Sequence, residues 1–257
     1  MTKTHFRATI LIHWFVTTLA FGQSTDTTDT PLRFEEPKFL TAAIYRADRK
    51  ELQFRFTRRV TRSGSTLNVL REYTYPDGKL AVRERAVYQG DKFVSFTLEE
   101  LQTGGSGDAK IAGKPTEGNI SFKYTKEPGG KEKSRAEELR PDTIQCDMLA
   151  PFLVSHWGAL MKGETVKCRY IAVPRRETVG FTFSKKSEST SAGKPVVIIK
   201  MEPSSPIISA LVDPLFFTME KGGQHHVLEY TGRTTPKIRD GKNWKDLDAV
   251  TVFDWSQ

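Results

Sequence analysis

The stretch EKGGQHHVLEYTGR (220–233) sets two histidines side by side, the residue type that most often ligates a metal or shuttles a proton. In an extended strand, adjacent side chains point to opposite faces. His226 would then share a face with Leu228 and Tyr230, and His225 with Val227 and Glu229, so the pair does not converge on one ion. A structural zinc wants four ligands, and beyond the leader the remaining histidine is His156, on an apolar helical face beside Trp157. The expectation is a hairpin, with no metal and no cofactor.

Other chemistries find equally little. SSPIISA (204–210) has paired serines but no G-x-S-x-G, and they suit a helix cap. TGGSGDAK (103–110) lacks the G-K-[ST] ending of a phosphate loop and reads as a long hairpin loop. Glu99–Glu100 and Glu137–Glu138 are adjacent and read as solvated, whereas a glycosidase needs two carboxylates converging from separate elements. No catalytic residue is assigned. Cys146 and Cys168 form no CxxC motif. An oxidising compartment would let them pair. Measured from a turn at Gly163, however, the two arms span roughly 25 and 17 Å, and the disulfide stays open.

The leader bears on that compartment. Lys3 and Arg7 precede the apolar run Ala8–Phe21, with small residues at Ala20 and Gly22. This pattern predicts a signal peptide over 1–22, because a membrane span needs about 20 apolar residues. No later window is apolar enough to cross a membrane, so the mature chain is expected to be exported, with the periplasm as its place. A loose polar segment (23–37) and a single domain over 38–257 would follow. The formal charge is +8, falling to +6 without Lys3 and Arg7. The basic residues are scattered among acidic ones, which argues against nucleic acid as a partner.

From residue 38 the dominant period is two. Leu52, Phe54 and Phe56 alternate with polar residues, as do Val94, Phe96 and Leu98, then Ile120, Phe122 and Tyr124. YPDGK and YQGDK between such runs are hairpin-turn chemistry. KEPGGKEKSRAEELRPD (126–142) reads as a charged connection and RTTPKIRDGKNWKDL (233–247) as a polar one. APFLVSHWGALMKG (150–163) has helical spacing, and SSPIISALVDP (204–214) reads as a short helix. The count is about ten strands and two short helices. The fold expected is mainly β, a single antiparallel curved sheet or half-barrel with the helices plugging its concave face.

That order, with VVIIKMEPSSPIISALVDPLFFTMEKGGQHHVLEYTGR (196–233) in its second half, resembles exported β-rich proteins allied to the LolA/LolB lipoprotein-carrier superfamily. The resemblance is one of layout and covers roughly residues 140–255. It implies an apolar cavity for acyl chains and supplies no catalytic motif. Phe152, Trp157, Leu160, Ile207, Ile208, Leu211 and Phe217 are the residues expected to line such a cavity, with Arg175 and Arg176 at its rim. The expected function is therefore non-enzymatic binding of a lipid or lipid-linked envelope component. An envelope scaffold with a filled core, acting on a protein partner, is the alternative. A glycan hydrolase is a third.

Overall fold

Alternating apolar residues, repeated at nearly every segment, leave the chain one way to bury them: successive strands pair antiparallel and the resulting ribbon curls. In a computed structural model that describes residues 36–256, apart from 91, 115, 116 and 210–212, all fifteen strands belong to one open, strongly curved sheet. The first half is β1 (Phe39–Arg46), β2 (Leu52–Ser63), β3 (Thr66–Thr74), β4 (Leu80–Gln89), β5 (Lys92–Glu100), β6 (Gly105–Lys114), β7 (Glu117–Thr125) and β8 (Lys133–Glu138). The second is β9 (Thr143–Ile144), β10 (Val166–Ala172), β11 (Glu177–Ser191), β12 (Lys194–Pro203), β13 (Leu215–Glu220), β14 (Val227–Asp240) and β15 (Asn243–Asp254). β1 pairs with β15, so the order runs β8 back to β1, then β15 back to β9.

Mainly β, one curved sheet and short helices agree with the sequence; ten strands do not. The Gly-rich 103–110 is mostly β6, and the charged 126–142 holds the exposed edge strand β8. The polar 233–247 contains the end of β14 and the start of β15. Polar composition conceals a strand when one or both of its faces meet water.

The helical segment is broken in two, α1 (Leu149–Ser155) and α2 (Trp157–Met161). His156 leaves helical geometry with φ −104° and ψ 14°, and its Nδ1 lies 2.9 Å from the carbonyl of Phe152, in the middle of α1. A third helix, α3 (Pro206–Ser209), follows β12. The proposed signal peptide and most of the loose segment lie outside the described residues. No helix among the described residues is long and apolar enough to cross a membrane.

Two short 3-10 turns, Cys146–Met148 and Val173–Arg175, lie inside the curl. The second rests on β6 and β7. Beyond them the rolled halves are clasped by side chains. Lys237 Nζ meets Glu100 at 3.1 Å, and Gln102 bonds both the N–H and the carbonyl of Lys237 at 2.8 and 2.9 Å. At the β8 edge, Glu137 accepts the Thr178 N–H at 2.8 Å.

Candidate functional site

Inward positions on β2, β3 and β4 should be apolar, and mostly they are: Phe54 and Phe56, Leu67 and Val69, Val82 and Ala86 are buried. Yet each series carries one charge. Arg58 faces Arg71 across the β2–β3 pair, and Arg71 faces Glu84 across β3–β4. These three make a row of charges beneath the curl. Arg71 meets Glu84 at 3.0 Å. The first 3-10 turn brings Asp147 to Arg58, Nε to Oδ1 at 2.6 Å and Nη2 to Oδ2 at 3.2 Å. The four formal charges therefore cancel. The bidentate fork is the geometry in which a guanidinium best survives burial.

Neutral groups complete the network. Gln145 Oε1 accepts from the Asp147 N–H at 2.7 Å and from the Tyr88 hydroxyl at 3.1 Å. Thr235 donates to Glu84 Oε1 at 2.9 Å, and the Cys146 thiol reaches Glu84 Oε2 at 3.7 Å. Arg71 also touches the Cys146 sulfur and donates to the Tyr73 hydroxyl at 2.9 Å. Burial pushes the Cys146 thiol well above its ordinary value, against the pull of Arg71. The thiolate is the nucleophile in cysteine chemistry, so this sulfur is held in its unreactive form.

Next to the ladder the inner face opens into a cavity of about 130 Å³. Two rows of cross-strand neighbours supply most of its floor. One runs Ile44, Thr251, Tyr230 over β1, β15 and β14; the other runs Tyr73, Phe56, Ala42, Phe253. Phe56 and Phe253 meet edge to face at 6.2 Å with small Ala42 between them in the row. Cys146, Leu149 and Tyr170 form the roof. The remaining wall is Arg233–Thr235, where β14 slips register against β15 between Arg233 and Lys237. Such bulges re-aim side chains, and this one sends Thr235 across to Glu84.

Of the residues expected from sequence to hold a ligand, none that is described lines this cavity. Phe152, Leu160 and Phe217 are buried in the core; Phe183 sits 5.5 Å from Phe152 and 6.3 Å from Phe217, ring centre to ring centre. Trp157 stacks on His225 at 4.1 Å. Ile208 packs against the core, while the Ile207 side chain and Leu211 lie outside the described residues. Arg175 is paired with Glu177 at 2.7 Å, and Arg176 turns at φ 57°.

Two other expectations change, and the cysteine pairing left open by the sequence is not formed here. Cys146 and Cys168 are both free thiols. β9 runs parallel to β10 with Ile144 opposite Tyr170. Cys168 lies within β10, whereas Cys146 opens the 3-10 turn that follows β9. Glu100 is buried, not solvated, bonded by Lys237 and the Tyr124 hydroxyl. The histidine pair precedes β14 instead of lying in it, and its rings diverge, His225 onto Trp157 and His226 onto Trp255 at 3.9 Å. Among the described residues no group of three or more His, Cys, Asp or Glu side chains could hold a metal ion.

Arg71 and Glu84 were the residues to notice. In LNVLREY and AVRERAVY each occupies a position that the period of two assigns to the inside, two residues from its apolar neighbours. A charge at such a position demands a partner, and two such strands in succession can supply one. No family model, no curated protein and no solved structure matches the chain.

Proposed function

We propose that the chain is a non-enzymatic binding protein of the cell envelope, taking an apolar ligand or part of one into the cavity between β1, β3, β14, β15 and the first 3-10 turn. The observation that carries this reading is a wall of aromatic rings beside a polar network that is already satisfied. Arg71, Glu84, Arg58 and Asp147 answer one another, and the thiol in the roof is held protonated by burial. What remains for a guest is apolar contact, the usual majority in a ligand pocket.

The test is native mass spectrometry of the mature protein purified from its own envelope. The expected result is a co-purified small molecule that disappears in Leu149→Phe, a change that extends a ring from the roof into the cavity, with the circular dichroism unchanged. A clean unliganded mass, with no uptake from added envelope lipid extract, would overturn the reading. It would favour the envelope scaffold, for which the close packing of Phe152, Leu160 and Phe217 speaks.

A further inference from the structure

The cavity also constrains what its guest can be; this step rests on the binding reading above. Its volume is about 130 Å³, close to the ~150 Å³ apolar cavity known to hold a single benzene. A whole acyl chain does not fit. Phe56, Tyr73, Tyr170, Tyr230 and Phe253 all present rings to it, and aromatic rings pair best with the edge or offset face of another ring. The Arg71 guanidinium, 5.2 Å from the Phe56 centroid and 5.9 Å from that of Tyr73, lies within the same set and favours a π face.

Charge is already settled. Arg71 has Glu84, and Arg233 at the mouth has Asp246 at 2.7 Å and Asp248 at 2.8 Å. An anionic guest would have to compete with carboxylates held in place, so a neutral one fits better. Most hydroxyls are committed too. Tyr230 donates to the Arg233 carbonyl at 2.7 Å, and Thr234 reaches the Pro236 and Leu247 carbonyls at 3.2 Å. Tyr73 accepts from Arg71. The hydroxyl of Thr251, a floor residue only 5% exposed, is not among these bonds.

We propose that the cavity receives one neutral six-membered ring bearing a single hydroxyl or carbonyl, its polar atom directed to the Thr251 hydroxyl. Calorimetric titration of the mature protein with phenol, toluene and n-hexanol tests this. Phenol should bind about three- to tenfold more tightly than toluene, the worth of one net hydrogen bond. Thr251→Val, nearly the same shape without the hydroxyl, should bind both rings equally, and Thr251→Ser should restore the preference. Equal binding of phenol and toluene by the unaltered protein would overturn the assignment of Thr251, even if the valine variant failed to fold. Binding of n-hexanol with neither ring bound would overturn the ring and leave the cavity reading standing. Binding of none of the three would defeat both.

Discussion

Arg71 and Glu84 occupy inward positions flanked on the same face by Val69 and Tyr73 and by Val82 and Ala86, and they are neighbours across the pair. A buried ion pair contributes little net stability, because desolvation cancels most of the attraction, but removing one partner strands the other. Arg71 cannot escape by losing its proton: burial alone would lower its affinity, yet Cys146 and Glu84 raise it well above the ordinary guanidinium value. Glu84→Gln should therefore cost about 3–5 kcal/mol, read as a lower urea midpoint at unchanged slope. The double variant Arg71→Met with Glu84→Leu should recover most of that loss, since it buries no charge. If Glu84→Gln unfolds at the same urea concentration as the unaltered protein, the ladder is not the coupled unit described above.

At the scale of the element, much was readable where local chemistry and tertiary demand coincide. The glycines of YPDGK and YQGDK lie between β3 and β4 and between β4 and β5, with φ of 89° at Gly78 and 64° at Gly90, as hairpin turns require. TGGSGDAK was misread for an instructive reason. Locally its glycines signal a loop, but Gly107 is a strand residue pressed from outside the strand. A Cβ there would lie 2.3 Å from the Lys123 carbonyl and 2.9 Å from Val173 Cγ1. Its smallness lets the second 3-10 turn rest on β6 and β7, a contact between segments about 65 residues apart that no local pattern announces. The cavity roof was hidden in the same way, since Cys146 meets Arg71 and Glu84 only after the curl. Gly107→Ala should destabilise by about 1–3 kcal/mol, the usual cost of overpacking, and lower the melting temperature. A substitution that leaves melting unchanged would mean that the turn does not bear on β6.

Fifteen strands are more than an open twisted sheet usually carries without curling, about ten being the common limit. The curl lets strands from opposite halves bury one another's inner faces around polar as well as apolar groups, and it decides how the molecule responds to alkali. Burial holds five phenols above their ordinary range: Tyr73, Tyr88, Tyr124, Tyr170 and Tyr230. It lifts the Cys146 thiol as well and, helped by Asp142, pushes Cys168 up to about 12. In each case the folded protein holds a proton that the unfolded chain releases earlier. The contribution is complete below the unfolded value, near pH 9 for the thiols and 10 for the phenols, and is lost as pH rises toward the folded one. Each group removes up to about 1.4 kcal/mol per pH unit over its window, so their sum makes the decline steep. Stability should thus be flat from neutral pH to about 9 and collapse between about 10 and 12 in one cooperative step. Tyrosinate absorbance should rise in that step together with the loss of the near-ultraviolet circular dichroism. If these phenols titrate gradually near their ordinary value while the dichroism is kept, the aromatic interior is open to water, and the apolar contact on which the binding reading depends is lost.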